Sequence, residues 1–467
     1  MLLNWLTQRL QDFRQQVAVV DVQGEHTYAD LLEKVQHYQL QLAEMFATGS
    51  TAQPVVALVA DYDLDSVAML LALMQHNAVI VPIVVSSDAE LYKRLEVVAC
   101  DWIIRTSPDG IDIQQLKSEP ESEKPLLLQQ LMTLQQPGLV LFSSGSTGQP
   151  KAMVHNLAQL IQVYQSRKPK SLTIMVFLMF DHIGGLNTLL NSLAMGAKMV
   201  LPNMRNPKRV AHMIAEHQVQ VLPASPTFLN LMLMAKVEQQ YDLSSLKMIT
   251  YGTEPMPESL LKKLRKTFPK TKFLQTFGTS ETGIAQTTSR RSDSLEIKIS
   301  DPNTTYKIVN GELWLKSQTQ IMGYLNAPMD SFSADGWFKT GDLVEELDQG
   351  YLCIRGRIKE VINVGGEKVL PAEVESVLFE LPQVKDCLVY GQTNAITGQM
   401  VAAQVVWEPD DDSSARDWRY QLQRYASAKL NRYKVPAKIT FVEQITSGTR
   451  FKKKRINLDE TVLKGIT

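Results

Sequence analysis

Apolar positions along the chain follow two alternating periods. Residues 28–45, 66–75, 91–99, 208–216 and 227–237 place apolar side chains three and four apart, the spacing of a helix with one buried face. Between them lie short β-branched runs at 55–59, 79–83, 102–104, 199–201 and 219–222, which predict strands. Strands and helices that take turns in this way build βαβ units, so the fold class is α/β with largely parallel sheets. Residues 107–124 are polar and poorly periodic and are expected to form a surface loop. Residues 1–13 carry an amphipathic helix pattern with no basic leader and no small-residue cleavage site, so no signal peptide is expected.

The pattern changes toward the C-terminus. Gly311-Glu-Leu-Trp-Leu315 and Tyr351-Leu-Cys-Ile354 read as antiparallel strands. After Arg355-Gly-Arg357 come 110 residues of small α+β pattern, enough for a separate domain. The expected boundaries are therefore 1–357 and 358–467. Between 416 and 455 stand twelve Lys/Arg against two Asp/Glu. Such a stretch is either a solvated face or a surface for phosphates or an acidic protein.

Composition narrows the classes. A chain of 467 residues with 44% hydrophobic and 21% charged residues is an ordinary globular protein of two or three domains. Its net charge of −1 gives no basis for nucleic-acid binding. Apolar runs stop short of the roughly 18–20 residues of a membrane span; residues 55–74 are broken by Asp61, Asp63 and Asp65. Cys100, Cys353 and Cys387 are widely spaced, as in core residues of a reducing compartment. A cytoplasmic location is expected. The sequence leaves the oligomeric state open, a homodimer included.

The chemistry concentrates in five segments. In Leu141-Phe-Ser-Ser-Gly-Ser-Thr-Gly-Gln-Pro-Lys151, an apolar strand pattern runs into a loop bearing Ser143, Ser144, Ser146 and Thr147, spaced by Gly145 and Gly148. Glycines let backbone N–H groups close on phosphate oxygens. The spacing is not Gly-x4-Gly-Lys-Ser/Thr, so this is no Walker A loop. The others are Tyr251-Gly-Thr-Glu-Pro255 with Leu274-Gln-Thr-Phe-Gly-Thr-Ser-Glu-Thr-Gly283, the turn Gly336-Trp-Phe-Lys-Thr-Gly-Asp342, the stretch from Ile354 to Glu375, and the basic run ending in Lys452-Lys-Lys-Arg455.

In order and spacing these segments resemble the AMP-forming acyl-adenylating enzymes: acyl-CoA synthetases, aryl-CoA ligases and adenylation domains. The resemblance runs from Thr27-Tyr-Ala-Asp-Leu31 to the C-terminal lysines. It implies a large N-terminal domain of parallel-rich α/β subdomains with a small β-barrel-like part, followed by a mobile α+β domain. It implies ATP and Mg²⁺ as cofactors, and CoA or phosphopantetheine as co-substrate. Ser143, Ser144, Gly145, Ser146, Thr147, Gly148 and Lys151 would hold phosphates. Thr253, Glu254, Phe277 and Gly278 would border adenine, with Phe277 stacking on it. Asp342 would take the ribose hydroxyls and Arg357 the ribose or phosphate. Ser280 and Glu281 fall in the catalytic segment, with Glu281 on the metal. Lys452 would stabilise adenylate formation, although Phe451 replaces the family's Gly and Lys453 stands next in line. Lys359 falls at the hinge, and Gly365 and Gly366 at the thiol tunnel.

The acid pocket falls on Asp181, His182, Gly184, Tyr251, Gly252 and Thr276. His182 matches the His that acyl- and aryl-CoA ligases set beside the substrate carboxylate, and Gly184-Gly185 would leave room for a chain or ring. Phe180-Asp181 also matches the pair with which amino-acid-activating domains hold an amine. Alternatively, Asp181 caps a helix starting at Ile183. A small non-amino carboxylic acid is the favoured substrate, with CoA or an acyl carrier protein meeting it in trans. An amino-acid-activating enzyme and a non-catalytic relative stay open.

Overall fold

The structure is a computed structural model that describes residues 4–47, 53–84, 87–107, 110–116, 123–143, 150–409, 414–446, 448, 452, 453 and 455. Two seven-stranded sheets and the helices between them form its larger part. One sheet runs Lys272–Gln275, Met248–Tyr251, Val221–Ala224, Thr173–Met175, Lys198–Val200 and Val17–Asp21, all parallel, and ends in an antiparallel hairpin with Gly24–Thr27. The other has a parallel centre of Gly138–Phe142, Val79–Ile83, Val55–Val59 and Trp102–Ser107, flanked by antiparallel neighbours. Its central strands are buried and apolar on both faces, as strands covered by helices on both sides must be.

The helix Leu64–Gln75 shows why the sheets stay together. Ten of its twelve residues are buried, so it has no solvent face and packs between layers. Asp63 starts it with a capping box, each side chain of Asp63 and Ser66 accepting the other's backbone N–H. One expectation fails here. Within the polar stretch 107–124, Gly110–Gln115 is a strand, paired antiparallel with Trp102–Ser107. As an edge strand it buries little, so its apolar alternation is only Ile111 and Ile113.

Residues 287–357 form a six-stranded antiparallel sheet in the order Thr287–Ser289, Glu296–Ile299, Leu352–Arg357, Phe338–Glu346, Glu312–Ser317, Thr304–Val309. This is the part expected to be barrel-like. The last sheet joins Ile362–Val364, Glu367–Val369, Val384–Asn394, Gly398–Trp407 and Lys438–Phe441. With the helices Pro371–Leu378 and Ala415–Lys429 it encloses its own core of Val374, Leu378, Val389, Val405 and Leu422. Against the large part it is fastened by Asn230 Nδ2 to the Lys385 carbonyl (3.0 Å) and Ser259 Oγ to the Ser376 carbonyl (2.8 Å). No helix among the described residues is long and apolar enough to cross a membrane.

Candidate active site

Several parallel strands end at one place. Gly138–Phe142 hands over to Ser143, Met248–Tyr251 to Gly252, and Lys272–Gln275 to Thr276. The carboxyl ends of parallel strands are where an open α/β sheet leaves a crevice. Here it is a cleft of about 290 Å³. It is lined by Ser143, His182, Gly184, Gly252, Thr253, Glu254, Thr276, Phe277, Gly278, Ser280, Glu281, Asp342, Arg357 and Lys452, all singled out in the sequence. Ser144, Gly145, Ser146, Thr147 and Gly148 lie outside the described residues. The loop's ends are closed by two hydrogen bonds: Ser143 N–H to the Lys151 carbonyl (3.0 Å) and Lys151 N–H to Ser143 Oγ (3.1 Å).

Local geometry explains the residue types. Gly252 sits where a Cβ would come 2.7 Å from Thr276 Oγ1 and 2.9 Å from its carbonyl oxygen, so only glycine lets these two strand ends touch. Thr253 follows with φ +74°, a strained conformation for a β-branched residue. Its Oγ1 is buried in the cleft wall without a hydrogen-bond partner, as is Gln275 Oε1. Buried polar atoms left open in a cleft wall suit a polar ligand.

Asp342 is buried, with Arg357 Nε 3.0 Å from its carboxylate. Burial pushes its carboxyl above the usual range, against the opposing pull of Arg357. Across the cleft, Tyr324 Oη donates to Glu281 (3.2 Å), and Lys151 Nζ lies 5.0 Å above the Tyr324 ring. Lys151 thus stands behind Glu281 and does not line the cleft itself. Among the described residues no group of three His, Cys, Asp or Glu is placed to hold a metal. A single carboxylate at Glu281 fits Mg²⁺ that arrives with phosphate oxygens supplying the other ligands.

His182 caps the helix Ile183–Met195, its Nδ1 accepting the Gly184 N–H at 3.1 Å. An acceptor at Nδ1 puts the neutral ring's proton on Nε2. The helix starts where the sequence placed it, but the cap is His182 and not Asp181. Asp181 is 4% exposed, 3.6 Å from Arg94 Nη1, and does not line the cleft. Tyr251 is also absent from the wall; its ring is buried in the core beneath the sheet. Gly185 leaves no room for a substrate. A Cβ there would meet the Met179 carbonyl oxygen at 2.1 Å and Tyr62 Oη at 2.8 Å, so the glycine is required by packing. Lys359 lies in the exposed turn Ile358–Glu360, and Gly365 and Gly366 (φ +60° and +96°) form an exposed hairpin turn away from the cleft.

Sequence reading missed His155. It is 1% exposed on Ala152–Asn156, beside the backbone of Ser280 and Thr319. Burial pushes its imidazole down from 6.5 to about 4. The unfolded chain therefore binds a proton that the folded one refuses, so stability is full above about pH 6.5 and falls toward pH 4. The loss should reach about 3 kcal/mol. Urea midpoints across this window should decline more steeply in the unmodified protein than in His155→Leu; equal slopes would remove His155 as the cause.

The fold and this cleft define an adenylate-forming ligase, and comparison with known proteins agrees. The model of the AMP-binding enzyme family matches residues 6–325, and that of the AMP-binding enzyme C-terminal domain matches 373–453. A 4-coumarate–CoA ligase-like protein of Arabidopsis thaliana is 24% identical over 94% of this chain and 85% of its own length. A 2-succinylbenzoate–CoA ligase of Listeria monocytogenes is 26% identical over 98% and 99%. Other curated ligases align over only 64% of their own length. The solved structure of an anthranilate CoA ligase in complex with anthranoyl-AMP superposes with a TM-score of 0.80 at 19% identity, covering 99% of this chain and 96% of that one. The chain belongs to the AMP-binding enzyme family, and by class it is an AMP-forming acid–thiol ligase.

Proposed function

We propose that the protein activates a carboxylic acid other than an amino acid as its acyl-adenylate, then passes the acyl group to a pantetheine thiol of CoA or of an acyl carrier protein. The observation that carries this is the company kept by His182 and Asp181. His182 stands in the cleft with Lys452, Asp342 and Arg357, while Asp181, the group that would hold a substrate ammonium, is buried beside Arg94.

In the first step a carboxylate oxygen attacks the α-phosphorus of ATP and pyrophosphate departs. Nε2–H of His182 orients the attacking carboxylate, and Lys452 offsets the negative charge that builds on the α-phosphoryl oxygens. Phe277 offers its ring to adenine, Asp342 accepts from the ribose hydroxyls, and Arg357, beside it in the cleft wall, holds the Asp342 carboxylate in place. Ser143 and the loop that follows it take the phosphates, Lys151 adds its charge from behind Glu281, and Mg²⁺ held by Glu281 would spread the phosphates' charge. In the second step the thiol sulfur attacks the acyl carbonyl and AMP leaves. Gly365 and Gly366 are remote from the cleft, so serving this step requires the domain beyond Lys359 to turn.

ATP–pyrophosphate exchange over a mixed acid library tests the reading. Exchange with fatty or aryl acids supports it; exchange with amino acids alone would replace it with amino-acid activation, and thiol-independent binding without exchange with a non-catalytic role. A second expectation concerns the hinge. Lys359→Pro fixes φ in that turn, so exchange should persist while thioester formation falls by about tenfold or more. Equal loss of both half-reactions would place the pivot elsewhere.

A further inference from the structure

Three lysines and an arginine follow one another at 452–455, yet the described ones do not share a fate. Lys452 lines the cleft. Lys453 turns the opposite way, into the small domain, where its Nζ lies 2.6 Å from Asp386 Oδ1 and 2.7 Å from the Cys387 carbonyl oxygen. Arg455 turns inward as well. It meets both oxygens of Glu375 (2.5 and 3.0 Å), Glu360 (3.2 Å) and the Val389 carbonyl (3.3 Å). Side chains one and three positions beyond Lys452 thus face one side, and Lys452 faces the other, the alternation of an extended segment.

An alternating segment has a register, and a shift by one residue would exchange every side chain between cleft and core. In a run of consecutive lysines, hydrophobicity cannot fix that register. Buried carboxylates can. Glu375 and Asp386 are 2% and 5% exposed, and a buried carboxylate left without its cation is strongly destabilising, whereas the pair as a whole adds little stability. The device therefore specifies a position more than it strengthens the fold. The main chain is fastened from the other side too. Glu254 accepts the Lys453 N–H at 3.5 Å through one oxygen and the Thr227 N–H at 2.7 Å through the other. Glu254 belongs to the turn that forms the cleft wall, so the wall and the lysine segment share one carboxylate.

We infer that Lys453 is a positioning residue for adenylate formation: its buried pair with Asp386, with Glu254 holding its backbone, sets the register that delivers Lys452 to the cleft. The inference rests on the role given to Lys452 above. Lys453→Met keeps the volume and removes the charge. It should lower the rate of acid-dependent pyrophosphate exchange about tenfold or more with the KM for ATP nearly unchanged, and leave thioester formation from supplied acyl-adenylate intact. In a Lys452→Ala background the same change should cost nothing further, because it acts only through Lys452. Should Lys453→Met fold poorly, Lys453→Met with Asp386→Leu replaces the whole pair by apolar side chains and should show the same kinetic loss at an unchanged melting temperature.

Amine acylation read by mass spectrometry gives an answer independent of turnover. Among lysines 452–454, ATP should protect Lys452 alone in the unmodified protein, and in the double variant, where a slip by one residue turns Lys452 away from the cleft, that protection should fall. Wild-type exchange in both variants, an equal loss with and without Lys452, or undiminished protection of Lys452 in the double variant would overturn the inference. Full exchange in Lys452→Ala would instead sink the role of Lys452 itself, and this inference with it.

Discussion

Lys452→Ala is expected to slow acyl-adenylate formation by about 10²–10³, while supplied acyl-adenylate is still converted to thioester. A positioned charge in a site with little water is worth roughly 3–4 kcal/mol to a transition state, and the effect belongs to the step in which phosphoryl charge develops. The geometry makes the expectation specific. Lys452 borders the main cleft and a smaller adjoining cavity shared with His182, Thr253 and Arg205, so it reaches the side where acid and α-phosphate would meet. The neighbouring substitution separates position from chemistry. Lys453 is held by Asp386 in the small domain, so Lys453→Ala should lower the melting temperature, which Lys452→Ala should not. Quenched-flow measurement of the first half-reaction, beside a thermal melt, distinguishes the two. Loss of thioester formation in Lys452→Ala, with adenylation intact, would reverse the assignment.

Much of the cleft was legible because its residues punctuate strong patterns. Ser143 follows directly on a strand whose apolar run is plain in the sequence, while Gly252 and Thr276 follow the short strands Met248–Tyr251 and Lys272–Gln275 and are marked by their motifs; the end of a parallel strand is where such a sheet exposes backbone. The fold class was legible for the same reason. What escaped is decided by distant partners. By residue type Asp181 is the favoured helix cap, yet His182 takes that place while Asp181 faces Arg94, 87 positions earlier. Gly185 read as space for a substrate, but the Met179 carbonyl and Tyr62 occupy that space. The strand Gly110–Gln115 escaped because an edge strand needs few apolar residues. The separate fates of Lys452 and Lys453 rest on Asp386 and Glu375, whose side of the chain no local pattern reveals.

Asp181→Asn should reduce stability by about 3 kcal/mol and leave the Michaelis constant for the acid nearly unchanged. Removing one partner of a buried ion pair costs roughly 3–5 kcal/mol, because the other charge stays in a poorly solvated place. The lower end applies here, since Arg94 also pairs with Glu90 and its contact with Asp181 is 3.6 Å. A kinetic effect, where one is seen, should fall on ATP. The Arg94 guanidinium lies 5.3 Å from the centre of the Phe142 ring, and Phe142 is the last residue of the strand that feeds the phosphate loop. Loosening Arg94 would therefore disturb the loop's root before it reached the acid. Had Asp181 been an amine-binding group, the opposite pattern would hold: stability little changed, and amino-acid-dependent exchange abolished. Denaturant midpoints and exchange kinetics on this one variant separate the two outcomes. The second would return an amino acid to the cleft, with Arg94 released from the carboxylate that now faces it.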